Sequence, residues 1–140
     1  MGRFTFVSAI PILILPVAAY NLLVLTLGGG FWSVLAASRL TAPLFTLHTS
    51  AGGAWPVSTG DLLLCVAVFA LFLDLVRASA SRGWAIVNHA LSMALFVVCL
   101  VEMLLLPALA SSAFFLITLM VLLDVLAGFI VNFAGARDGG

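Results

Sequence analysis

Four apolar stretches, at about residues 4–27, 61–76, 85–106 and 113–133, alternate with short polar breaks and one long irregular segment. Each is near the ~20 predominantly apolar residues that a helix needs to cross hydrocarbon, so the pattern predicts four transmembrane helices in a single domain spanning 1–140. The second stretch is the shortest. Ser58-Thr59-Gly60-Asp61 at its head has the spacing of a capping box, which predicts a helix that starts before Asp61. In the first stretch Pro11 and Pro16 each remove a backbone donor, so that helix is expected to be kinked or irregular. Met1-Gly2-Arg3 precedes it as the charged start of a secretory signal would. The apolar run is longer than a signal core and no A-x-A site closes it, so it reads as an uncleaved span.

The segment 28–60 has a pattern of its own. Phe31, Trp32, Val34, Leu35 and Leu40 recur at roughly helical spacing against Ser33, Ser38 and Arg39, which predicts an amphipathic helix on the outer membrane surface. Phe45 and Leu47 then alternate with Thr46 and His48, and Trp55 and Val57 with Pro56 and Ser58, around Ser50-Ala51-Gly52-Gly53. That alternation predicts a small β-hairpin with one apolar face, available to dock on lipid or on a partner, and Pro56 confines its strand to an edge. The fold class is therefore an all-α membrane protein of four spans, with the amphipathic helix and hairpin between spans 1 and 2.

Charge orients it. Arg3, Arg77, Arg82 and Arg137 fall on one side of a four-span chain and Arg39 on the other, so the positive-inside rule places both termini in the cytoplasm. Trp84 then belongs at the cytoplasmic interface, and Trp32 and Trp55 at the outer one. Of the 140 residues 65% are hydrophobic and 7% charged, which excludes a water-soluble globule and leaves no room for a soluble enzyme domain. With zero net charge and no basic tract, nucleic-acid binding is set aside. Cys65 and Cys99 lie inside apolar runs rather than in a spaced disulfide framework.

Ionisable groups inside spans cost several kcal/mol unless paired or neutral, so each needs a reason. Asp124 sits mid-span with Gly128 and Asn132 following at i+4 and i+8, a stripe expected to face protein or water. It reads either as a proton-carrying carboxyl or as a buried contact between helices. Asn88, His89 and Ser92 lie in the cytoplasmic half of the third span and Glu102 near its outer end. At ~100° per residue His89 and Glu102 fall about 140° apart, which disfavours one relay along that helix. Asp74 and Arg77 share a face and are expected to pair. Asp74, His89, Asn88 and Asn132, with Asp124 above them, form the candidate polar site, and Glu102 is counted among its candidate intramembrane groups. Ala90-x-x-x-Ala94, with Ala127 and Gly128, offers small surfaces for helix packing.

No cofactor is expected. His48 and His89 fall on opposite sides of the bilayer, which disfavours bis-His haem within one chain, and two His89 residues would meet only across a dimer. There is no CxxC or HExxH, and Gly28-Gly29-Gly30 lacks the context of a phosphate loop.

Ser58-Thr59-Gly60-Asp61-Leu62-Leu63-Leu64, Asn88-His89-Ala90-Leu91-Ser92-Met93, Asp124-Val125-Leu126-Ala127-Gly128-Phe129 and the closing Ala136-Arg137-Asp138 resemble a family of small four-span inner-membrane proteins from Gram-negative bacteria. The likeness covers roughly residues 56–138. It implies a bacterial inner-membrane location with the hairpin in the periplasm, and it transfers no activity. The expected role is non-enzymatic: a small accessory, assembly or scaffold subunit, with the lipid bilayer and other membrane subunits, or a second copy of itself, as partners. The alternative is a homo-oligomeric proton-coupled transporter or proton-conducting protein using Asp124. A lipid-acting enzyme would need an activated nucleophile at a headgroup interface, and none is evident.

Overall fold

The computed structural model describes residues 9–78 and 82–138. Arg3, the expected start of the first span at Phe4, and the side chains of Arg82, Trp84, Ala136 and Asp138 lie outside the described residues. In chain order the elements are α1 (Ile14–Thr26), α2 (Ala36–Thr41), β1 (Pro43–His48), β2 (Ala54–Ser58), α3 (Thr59–Ala78), α4 (Arg82–Leu105), a 3-10 turn (Pro107–Leu109) and α5 (Ser112–Asp138).

Three helices, in α3, α4 and α5, are long and apolar enough to cross a membrane, at 20, 20 and 23 residues of apolar length. Twenty residues rise about 30 Å, the thickness of the hydrocarbon core. A fourth crossing helix is not seen among the described residues. Among the described residues of the first apolar stretch the longest helix is the 13-residue α1, which rises about 20 Å. The expected irregularity at the prolines is a complete break, with residues 10–13 outside any helix. Pro16, by contrast, sits in the first turn of α1, where a missing N–H leaves no bond unmade.

The start of α3 follows its sequence signal. The Ser58 hydroxyl oxygen accepts the Asp61 N–H at 3.2 Å, and Asp61 Oδ2 accepts both the Ser58 N–H at 2.9 Å and its hydroxyl at 2.8 Å. This is the reciprocal closure of a first turn.

The expected surface helix is shorter and starts later than the apolar spacing implied. Residues 31–35 form turns, and only Ala36–Thr41 is helical. Its inward positions, Ala36 and Leu40, are buried, while Trp32, Val34 and Leu35 are exposed. The cause is the tight return of the chain after α1. A Cβ on Gly28 would lie 2.7 Å from the Val24 carbonyl oxygen and 2.8 Å from the Ala36 Cβ, so only glycine lets α2 fold back onto the end of α1. Arg39 Nη1 donates to the Leu27 carbonyl at 3.0 Å and satisfies part of that helix end.

The hairpin forms as its alternation predicts. Its antiparallel register pairs Phe45 with Val57, Thr46 with Pro56, Leu47 with Trp55 and His48 with Ala54, with an irregularity between Pro43 and Phe45. The apolar residues Phe45, Leu47, Trp55 and Val57 thus share one face.

Helix α5 packs against both α3 and α4, and α1 leans mainly on α3. Each helix buries one stripe: Val17, Tyr20 and Val24 along α1, continued by Leu13 just before it; Leu63, Ala67, Ala70 and Asp74 along α3; Asn88, Ser92, Leu95 and Cys99 along α4; Phe114, Ile117, Val121 and Asp124 along α5. The spacing of three and four is that of one helix face. Toward the hairpin end these stripes are aliphatic and aromatic. Toward the opposite end they turn polar, and that layer is the candidate site.

Candidate polar site at a broken helix

A chain that leaves helical geometry among apolar neighbours strands backbone groups that water cannot reach, at several kcal/mol each in hydrocarbon. The break at residues 10–13 strands the N–H groups of Ile12 and Leu13 on one side and the carbonyl of Ala9 on the other. Pro11 makes the break because it has no N–H and bars its predecessor from helical geometry. Two side chains from distant helices repair it. Asp74 Oδ1 accepts the Ile12 N–H at 2.8 Å and Oδ2 accepts the Leu13 N–H at 3.1 Å. Asn88 Nδ2 donates to the Ala9 carbonyl at 3.0 Å. Both residues are buried, Asp74 completely.

The Asp74 carboxylate therefore sits at the positive end of α1, where backbone amides and helix dipole both favour an anion. Broken membrane helices of this kind often point such an end at an anionic ligand. Here the anion is the chain's own. The sequence-expected partner, Arg77, is more distant, with Nη1 3.9 Å from Asp74 Oδ1 and its side chain partly exposed.

Asp124 is held differently. Its Oδ2 accepts the Ser92 hydroxyl at 2.8 Å, a buried bond that ties α5 to α4. Asp74 and Asp124 are both buried, at 0% and 3% exposure. One turn along α5 from Asp124, Gly128 forms the floor under His89: a Cβ there would come within 2.8 Å of His89 Nδ1 and 3.2 Å of its Cβ. His89 Nδ1 is buried with no hydrogen-bond partner. Asn132 is partly buried one further turn along α5.

Asp74, Asp124 and His89 thus gather in one layer, together with Asn88 and Ser92. Glu102 belongs elsewhere. It lies toward the hairpin end of α4, where its Oε2 accepts Asn21 Nδ2 at 3.2 Å, while the same Nδ2 also donates to the Val17 carbonyl at 3.0 Å. Nearby, Tyr20 and Ser111 share a hydroxyl bond of 2.5 Å, Ser111 Oγ accepts the Phe114 N–H at the start of α5, and the Tyr20 and Phe114 rings lie 5.1 Å apart. These contacts fasten α1 to α4 and α5.

Ser92, His89 and Asp124 are the residue types of a hydrolytic triad, but they are not arranged as one. A triad needs histidine between nucleophile and acid. Here Ser92 donates directly to Asp124, and His89 Nδ1 bonds to neither. Among the described residues no group of three His, Cys, Asp or Glu side chains could hold a metal ion.

Ala90 and Ala94 are exposed rather than packed against a neighbouring helix. Ala94 lines an apolar groove of about 430 Å³ between the N-terminal segment and α4, with Pro11, Ile14, Leu91 and Val98 among its walls. On the hairpin, Phe45, Leu47 and Trp55 are 47%, 46% and 57% exposed, whereas Val57 is 5% exposed and packs at the base of the sheet.

Two contacts escaped sequence reasoning. Asp74 was legible as a helix-end partner for Arg77, not as a cap for a helix some 60 residues earlier. The available signal was Pro11, which announces orphaned amides that only a buried acceptor can satisfy. The second is Ser92 with Asp124; the position of Ser92 four residues after Asn88 places it on the same buried stripe. No protein-family model, curated protein or solved structure matches the chain.

Proposed function

We propose that this chain is a non-enzymatic integral membrane protein that serves as a small accessory, assembly or scaffold subunit of a larger membrane complex. It crosses a bacterial inner membrane four times, the first crossing falling in the apolar stretch at residues 4–27. Both termini are cytoplasmic and the hairpin lies on the outer side. The observation that carries the reading is the half-exposed apolar face of Phe45, Leu47 and Trp55 on a hairpin beyond the crossing helices. Large apolar side chains displayed outside the spans, at a site with no reacting constellation, suit docking better than catalysis. The buried polar groups support the same reading, because Asp74, Asn88, Ser92 and Asp124 are engaged in joining segments of the bundle.

Purification from native membranes into lipid nanodiscs, with mass determination and identification of each stoichiometric chain, tests it. The expected result is a defined larger complex that is lost when Phe45 and Trp55 are both replaced by serine. A wild-type chain that purifies alone would overturn the proposal.

A second reading is a proton-conducting or proton-coupled homo-oligomer. It is favoured by two buried carboxyl groups, Asp74 and Asp124, and a buried histidine nitrogen without a hydrogen-bond partner in the same layer. In liposomes it predicts a proton flux that Asp124→Asn abolishes while the protein stays folded; flux retained by the variant sinks it.

A further inference from the structure

The outer edge of β1 is built to accept another strand, and we infer that it pairs with the same edge of a second copy of this chain. The phase of the hairpin ladder fixes which groups point outward. The Thr49 N–H donates to the Gly53 carbonyl at 2.8 Å, so 49 and 53 stand at a hydrogen-bonded position. Stepping by two along the register makes Leu47 with Trp55 and Phe45 with Val57 hydrogen-bonded pairs as well. Thr46 with Pro56 and His48 with Ala54 are then the pairs that do not bond each other. Proline fits this ladder for that reason: its missing N–H would have faced away from β1.

The two edges are consequently unequal. Along β2 the central outward position is Pro56, which cannot donate. Along β1 the outward N–H and C=O groups of Thr46 and His48 have no partner among the described residues. All six residues of β1 are exposed. A two-stranded hairpin is marginal by itself, and an uncovered edge is a template for a further strand.

The sequence of β1 favours its own copy as that strand. Two antiparallel β1 strands related by a two-fold axis at Thr46 exchange both bonds of the Thr46 pair. The same axis sets Phe45 of each copy opposite Leu47 of the other in a closely spaced, non-hydrogen-bonded pair. The apolar face then runs unbroken across four strands, adding two Phe–Leu pairs to the Phe45–Val57 and Leu47–Trp55 pairs already present. No Asp, Glu, Lys or Arg lies between Pro43 and His48, so no fixed like charges meet across the axis. This pairing uses the edge, whereas the proposed docking of a subunit uses the face, so the two stand or fall separately.

The test is cysteine cross-linking in native membranes on a Cys65→Ala background with a mild thiol oxidant. Thr46→Cys should give a disulfide-linked dimer, while Pro56→Cys on the other edge should stay monomeric. Absence of the Thr46→Cys dimer, or equal linking at both positions, would overturn the inference. Thr46→Pro supplies a second arm. It deletes an outward donor and leaves the β1–β2 ladder intact, so the mass in nanodiscs should fall from two copies to one; an unchanged dimer overturns the inference. A dimer that carries no other protein supports self-pairing and removes the accessory-subunit reading. A complex holding a single copy does the reverse.

Discussion

With leucine in place of Asp74, the N–H groups of Ile12 and Leu13 would face an apolar interior with no acceptor. Each buried unsatisfied donor costs about 1–3 kcal/mol, so Asp74→Leu should lower the unfolding temperature in detergent far more than Asp74→Asn, which keeps one carbonyl oxygen for the cap. Equal stability of the leucine variant and the native chain would show that the cap is dispensable. Gly128 offers a second test of side-chain geometry. A methyl group there would press on the His89 ring at 2.8 Å, and overpacking of this kind costs about 1–3 kcal/mol. Gly128→Ala should therefore destabilise the protein, and adding His89→Ala should restore part of the loss. Strict additivity of the two changes in thermal unfolding would mean that the two residues do not press on each other.

At the scale of elements, legibility followed the range of the interactions involved. The start of α3 is written in four consecutive residues, and the capping bonds between Ser58 and Asp61 form where the spacing placed them. The hairpin was equally legible, since alternation at Phe45, Leu47, Trp55 and Val57 needs only the two-residue period of a strand. The surface helix was less so. Apolar residues at 31, 32, 34 and 35 mimic a helical face, but the triple glycine before them turns the chain, and Ala36 and Leu40 supply the buried side instead. Least legible was the first apolar stretch. Its prolines announced irregularity, whereas the extent of the break depends on Asp74 and Asn88, contributed by helices far along the chain. The candidate polar residues could be collected from sequence by depth. Their pairing could not, because helix rotation decides whether Ser92 or His89 reaches Asp124.

For the whole molecule, the alternation of polar and apolar ends has a directional consequence. The α1 break, the end of α3 and the start of α4 meet in one layer, and the hairpin stands at the other end of the bundle. In a membrane those ends face opposite compartments. A membrane-impermeant thiol reagent applied to intact cells, on a Cys65→Ala background, should label Ser50→Cys in the hairpin turn and spare Arg137→Cys until the membrane is opened. Labelling of both from outside would refute the four-span orientation with cytoplasmic termini. The same layer also dictates an order of assembly. During synthesis the N-terminal segment emerges about 60 residues ahead of the carboxylate that closes its break, an interval of roughly 3–12 s at typical elongation rates. Until α3 arrives, the amides of Ile12 and Leu13 have no acceptor from that helix, and hydrocarbon is closed to them. The segment around the break therefore cannot settle before α3 does, and waits at the membrane surface or beside the insertion machinery until its cap is delivered.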